Sequence, residues 1–74
     1  MTNLTSLSSA AQFGAAIRQA RKAQGLTQGE LALAAGVSLR FVSELERGKQ
    51  SASLELALRI AGLLNIRISA SVPA

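Results

Sequence analysis

Residues 26–49 read LTQGELALAAGVSLRFVSELERGK and give the clearest indication of the fold. Thr27 and Glu30 have the spacing of a capping box, which predicts that a short helix begins there. Gly36 can end that helix, and Ser38 can cap another helix immediately afterwards. The stretch therefore predicts two short helices joined by a tight turn.

The spacing within this stretch is that of a helix-turn-helix, which needs a small residue on its first helix, a glycine in the turn and apolar residues that lock the helices together. When Gln28 is counted as the first of twenty positions, Ala32 is the fifth and Gly36 the ninth. Four other positions carry the locking apolar residues, namely Leu31, Val37, Val42 and Leu45. A chance helical hairpin would seldom satisfy all these requirements.

Helices are also predicted on both sides of this motif. Ser9 and Gln12 have capping-box spacing, and helical periodicity follows over residues 9–24 until Gly25. Ser53 can cap a fourth helix. Its predicted core face consists of Leu54, Ala57, Leu58, Ala61 and Leu64. The predicted fold class is all-α, a compact four-helix domain.

The pattern changes after Asn65, where apolar and polar residues alternate with the period of a half-buried strand. Its apolar residues are Ile66, Ile68, Ala70 and Val72. Because the chain offers this strand no partner, we expect it to pair with the same strand of a second subunit in a homodimer. The predicted organisation is a leader at 1–8, the helix-turn-helix domain at 9–64 and a strand-like dimerisation tail at 65–74.

Composition restricts the class of protein. Eight Lys and Arg against four acidic residues give a net charge of +4, so we expect a polyanionic partner such as nucleic acid. With no Cys or His, the chain offers no nucleophile–base pair, metal cluster or cofactor motif, and we predict no enzyme activity, metal or cofactor. The longest apolar stretch is far below the roughly 20 residues of a membrane span, and no secretory signal is readable. The predicted location is the cytoplasm.

These motifs resemble the lambda-repressor-like proteins, the Cro/CI or XRE family. The residues that carry the resemblance are 26–32, 36–38 and 42–49, within a likeness over roughly 13–64. The resemblance implies a transcriptional regulator that binds a double-stranded DNA operator sequence-specifically as a dimer. Family members often continue into a fifth helix, and the strand-like tail departs from that pattern.

The tail is similar to that of HipB-type antitoxins, which repress their own operon and bind a HipA-like kinase toxin. We therefore predict an autorepressing antitoxin of a HipBA-like toxin-antitoxin pair. The alternatives are a phage-type or restriction-modification repressor without a toxin partner, and a protein-interaction module on the same scaffold.

The resemblance places five positions where family members meet base edges: Ser38, Leu39, Arg40, Ser43 and Glu44. Their chemistry is compatible with that role. Arg40 can donate to O6 and N7 of guanine, Glu44 can accept from N4 of cytosine, and Leu39 can pack on a thymine methyl. Three of these positions also have a plainer interpretation: Ser38 as a helix cap, Leu39 as an ordinary exposed residue, and Glu44 in a structural or selectivity role.

Other roles are also implied. The resemblance makes Gln28 a phosphate contact that also braces a recognition side chain, and it pairs Arg21 with Glu46 in a salt bridge inside the domain. Arg47 and Lys49 follow the second helix of the motif, the recognition helix, and are suited to contact DNA phosphates. Phe41 is interpreted as packing on the first helix of the helix-turn-helix. Arg18, Lys22 and Arg59 are interpreted as solvated charges, with contact to the DNA backbone as the alternative.

Overall fold

The computed structural model describes residues 7–70, 72 and 73, and this part of the chain contains four helices. They are α1 (Ala10–Ala23), α2 (Gln28–Ala35), α3 (Leu39–Glu46) and α4 (Leu54–Leu63). The predicted all-α, four-helix class is confirmed. Residues 1–6 of the predicted leader, with Ser71 and Ala74 of the tail, lie outside the described residues. None of the helices in the described part is long and apolar enough to cross a membrane.

Each helix begins at a hydroxyl side chain that accepts a hydrogen bond from the backbone N–H three residues on, because that N–H has no partner inside the helix. These caps are Ser9, Thr27, Ser38 and Ser53. The capping box predicted at Thr27 is complete, since Glu30 Oε1 also accepts from Thr27 N at 2.8 Å. The box predicted at Ser9 is half wrong: Gln12 Oε1 accepts from Ser8 N instead, at 2.6 Å.

Each helix is followed, within two residues of its last one, by a residue in the left-handed region, where φ is positive. Three of these residues are glycines, which reach that region without steric cost, and the one after α4 is Asn65, with a φ of 60°. Past Asn65, Ile66 N donates to Ala61 O at 2.9 Å, a bond that closes the helix end. The change of sequence pattern at Asn65 therefore coincides with the end of α4.

The core lies between all four helices, with α3 packed against both α1 and α2, and α4 packed against α2. Its most deeply buried side chains are Ile17, Leu31, Val42 and Ile60. The core face predicted for the fourth helix is partly wrong. Leu54 and Leu58 are exposed, and Ile60 is buried in their place, because α4 turns the face that carries Ala57, Ile60, Ala61 and Leu64 to the core.

The backbones of α1 and of the C-terminal end of α3 approach each other closely. A Cβ added at Gly14 would overlap the Leu45 carbonyl oxygen and lie 2.9 Å from the Glu46 carbonyl oxygen. At Gly48, where φ is +87°, an added Cβ would lie 2.9 Å from the Ala11 Cα. These glycines let the end of α3 rest directly on α1.

The tail predicted as a strand forms neither helix nor strand at residues 66–70, 72 and 73. Ile66 packs against the core of its own chain, whereas Ile68 and Val72 are exposed. The difference has a physical reason, because a strand needs a neighbour for its backbone hydrogen bonds. Pairing between two subunits stays a prediction.

Candidate nucleic-acid interface

The leading end of α3 is free of its own domain. After the three-residue connection 36–38, Ser38 Oγ accepts from Phe41 N at 3.0 Å and so starts the helix. Leu39 is 55% exposed, and the Arg40 side chain is 84% exposed. The plainer interpretation of Ser38 as a helix cap is correct, and the helix offers its first turn to solvent.

Exposure falls along the rest of α3. Ser43 and Glu44 are half-buried, and Val42 and Leu45 belong to the core. Phe41 is partly buried against that core, in agreement with its interpretation as a packing residue. The five predicted base-contact positions therefore share one side of α3, but only the first three are fully open.

The trailing end of α3 is fastened by a buried ion pair. Arg21 Nε donates to Glu46 Oε2 at 2.6 Å and Arg21 Nη2 to Glu46 Oε1 at 3.0 Å, with side chains only 9% and 3% exposed. Arg21 Nη1 also donates to the Leu26 carbonyl oxygen at 2.7 Å. The ion pair implied by the family resemblance is present, and it ties α3 to α1 and to the loop before α2.

Gln28 joins the same network from the first turn of α2. Its Nε2 donates to Glu46 Oε1 at 3.0 Å. The side chain that Gln28 braces is therefore the buried Glu46, and not one of the five predicted base-contact residues. Gln28 is itself held at the edge of α3 by that bond, only partly buried.

The environment of Glu46 favours its charged form. Burial by itself raises the pKa of a carboxyl group, but hydrogen bonds from Arg21 and Gln28 and the charges of Arg21 and Arg18 outweigh it and hold the pKa below its usual value of 4.5. The hydrogen bond to Glu46 likewise raises the pKa of Arg21. Arg21 and Glu46 are therefore both charged at neutral pH and form a buried ion pair.

Further positive charge surrounds the exposed side of α3. Arg18, Gln28, Ser43 and Arg47 line an open cleft between α1, α2 and α3. Lys49 follows the end of α3, and its Nζ lies 3.3 Å from Glu44 Oε1. The surface beside the recognition helix is therefore basic, as contact with phosphates requires.

Several structural residues were missed from the sequence. Gly14 could have been found as a glycine inside a helical pattern, where alanine would be favoured. Gln24 Nε2 donates to the Leu64 carbonyl oxygen at 2.8 Å. No sequence pattern predicts a hydrogen bond between residues 40 positions apart. Arg59, interpreted as a solvated charge, donates to the Ala35 carbonyl oxygen at 3.3 Å and satisfies the end of α2.

Two short helices joined by a tight turn, with the second offering its first turn to solvent beside basic side chains, define a helix-turn-helix DNA-binding domain. The helix-turn-helix family profile matches residues 17–70. The chain belongs to this family, in its lambda-repressor-like or XRE branch. It is a DNA-binding transcriptional regulator of the helix-turn-helix type.

Individual relatives agree with this assignment. The chain is similar to an uncharacterized HTH-type transcriptional regulator, y4mF, of Sinorhizobium fredii, with 43% identity over 85% of this chain and 83% of the relative. It is 46% identical to an uncharacterized HTH-type transcriptional regulator of Archaeoglobus fulgidus over 70% of this chain and 74% of the relative. Among solved structures, a complex of a HipB variant with an O2 20mer superposes with a TM-score of 0.85, covering 97% of this chain and 100% of that chain. Its sequence identity is 22%, so that likeness concerns the fold.

Proposed function

We propose that this regulator represses transcription by binding an operator sequence-specifically, with the first turn of α3 in the major groove. The observation that carries the proposal is the contrast between the open leading end of α3, where Arg40 is 84% exposed, and its buried trailing end. A helix fixed at one end and free at the other can enter the groove without unfolding its own core. DNA as the partner also favours action in the cytoplasm.

The proposed base contacts are the open side chains Leu39 and Arg40, with Ser38 and Ser43 beside them. Arg40 offers paired N–H donors, which match O6 and N7 of guanine. Leu39 presents an apolar surface suited to a thymine methyl. The proposed phosphate contacts are Gln28, Arg47 and Lys49, which border the same side of the domain.

We propose further that two chains act as a homodimer through the tail. Ile68 and Val72 are apolar and exposed in the single chain, so burying them against a second copy would remove apolar surface from water. A twofold pair of domains would present two recognition helices about 34 Å apart, the length of one DNA turn. Ile68→Lys should convert a dimer to a monomer in sedimentation equilibrium, and an unchanged mass would contradict this use of the tail.

Within this class we propose an autorepressing antitoxin that binds a HipA-like kinase toxin. Support comes from the tail after α4 and from the likeness of fold to HipB over nearly the whole chain. The test is to co-express the chain with the product of the adjacent reading frame. We expect a kinase-like neighbour that co-purifies with the chain and arrests growth when expressed alone. A neighbour without either property would favour a repressor that has no toxin partner.

The DNA proposal is tested by titrating the purified chain against a duplex from its own promoter and a scrambled duplex of equal length, at several salt concentrations. We expect the promoter duplex to bind roughly 10³-fold or more tightly at physiological salt. Affinity for both should fall steeply as salt rises, because phosphate contacts release counterions. A ratio near one would instead favour a protein-interaction module.

A further inference from the structure

Glu44 lies between two cations on the DNA-facing side of α3, and one of its oxygens is close to both. Its Oε1 is 3.6 Å from Arg40 Nε, one helical turn earlier, and 3.3 Å from Lys49 Nζ, just after the helix. The Glu44 side chain is 24% exposed, whereas the Arg40 side chain is 84% exposed. The carboxylate therefore sits at the base of the open arginine.

The point of attachment on Arg40 matters, because a guanidinium has two edges that can donate pairs of hydrogen bonds. Glu44 faces Nε, at the side of the group. The Nη1 and Nη2 nitrogens at the outer end remain available for the parallel pair of bonds that guanine O6 and N7 accept. Holding the side chain also lowers the entropy lost when it docks on a base.

The carboxylate also changes how Arg40 behaves on unrelated DNA. Arg40 must turn its Nε away from Glu44 if it is to bind a phosphate through the edge of the guanidinium that carries Nε. That movement takes a positive charge away from the Glu44 carboxylate, which then lies near the negatively charged phosphates and is repelled by them. On a site with guanine in the right position, Arg40 can donate through its outer nitrogens and keep Glu44 at its side.

We propose that Glu44 is a positioning residue that directs Arg40 toward guanine and disfavours its use on phosphate, and so sets sequence selectivity without touching a base. This inference rests on the proposed DNA-binding function. It chooses the selectivity role for Glu44 over direct acceptance from cytosine.

The experiment compares Glu44→Gln with Glu55→Gln. The matched control removes the same charge from an exposed site on α4, for which no ion pair is found within the described residues. Each variant is titrated against the duplex that the unaltered chain selects from a randomised library, and against a scrambled duplex. For Glu44→Gln we expect tighter binding to the scrambled duplex, weaker binding to the selected one, and a ratio of affinities about tenfold lower. Glu55→Gln should leave the ratio unchanged.

Arg40→Ala and the double variant Arg40→Ala/Glu44→Gln show whether Glu44 acts through Arg40. On the Arg40→Ala background, Glu44→Gln should change the ratio no more than Glu55→Gln does. A loss of selectivity that persists on this background would mean that Glu44 reads a base itself and would overturn the proposal. An unaltered ratio in Glu44→Gln would overturn it as well.

Failure of the underlying DNA function looks different, because the unaltered chain would then select no sequence and show a ratio near one. That result would remove both proposals together. Thermal unfolding of each variant checks that the fold is intact before binding is compared.

Discussion

The two ends of α3, a helix of eight residues, have opposite surroundings. The leading end carries Leu39 and Arg40, open to solvent and held mainly by the Ser38 cap. The trailing end carries Leu45 and Glu46, buried against α1 and bound by Arg21 and Gln28. One short helix thus contains a fixed half and a presenting half.

This contrast shows how a domain this small can hold the exposed first turn of α3 rigidly in place. An eight-residue helix is too short to be stable alone, so its order must come from tertiary contacts. The contacts at the trailing end supply that order and leave the leading turn uncovered. Substitutions at the trailing end should therefore act on folding, and substitutions at the leading end on DNA binding alone.

The largest expected effect on folding is that of Arg21→Met, which leaves the carboxylate of Glu46 buried without its ion-pair partner. We expect the free energy of unfolding to fall by about 3–5 kcal/mol at neutral pH, measured by urea denaturation. Arg67→Met, at an exposed position after α4, is the matched control and should change stability by less than about 0.5 kcal/mol. Equal losses in the two variants would mean that the buried pair does not fasten α3.

Gly14→Ala should have the next largest effect, because its Cβ would overlap the Leu45 carbonyl oxygen and push α1 away from α3. We expect a loss of about 1–3 kcal/mol in the same denaturation assay. Gly62→Ala is the control, since a Cβ added there would meet nothing within 4 Å beyond its own stretch of helix. That variant should gain about 0.5–1 kcal/mol, because alanine favours the helix. A neutral Gly14→Ala would show that the two helices can separate freely.

The sequence predicted where the helices and the turn lie better than it predicted how the helices pack. The positions of the caps and of Val42 and Leu45 follow from local spacing, which is why helix positions and the turn were predictable. The backbone approach at Gly14 was not predictable, since it depends on the packing distance between α1 and α3. The predicted core face of α4 was partly wrong for a similar reason. Leu54 and Ile60 are equally apolar, and only packing decides which one is buried.

The candidate site was predicted through family resemblance more than through chemistry. Arg21 and Glu46 are far apart in sequence, and nothing local distinguishes them from solvated charges. Glu44 shows the opposite case, because its contacts with Arg40 and Lys49 follow from helical geometry and from the chain reversal after Arg47. Those contacts are local in sequence. The role proposed for Glu44 depends in addition on which face of α3 is exposed, and that follows from the packing of the whole domain.

A smaller effect on folding is expected from pH. Because the pKa of Glu46 is depressed in the folded chain, its ionised form contributes stability that is complete above the usual value of 4.5 and is lost as pH falls through the lower folded value. Denaturation between about pH 7 and pH 3 should therefore show stability falling on the acid side. The difference between the unaltered chain and Glu46→Gln should shrink over that range. A constant difference would mean that Glu46 is not charged in the fold.

The smallest effect on folding belongs to Arg40→Ala, at the presenting end. Its side chain is 84% exposed, and its one ion pair within the described residues is with the half-buried Glu44 at 3.6 Å, so the free energy of unfolding should change by less than about 0.5 kcal/mol. Binding to the selected duplex should nevertheless weaken by about 1–3 kcal/mol, with almost no change on scrambled DNA, because a base contact is lost there and not a phosphate contact. An equal loss on both duplexes would make Arg40 a backbone contact. A large loss of stability would instead show that the leading end of α3 is not free of the domain, and the division of the helix into two halves would fail.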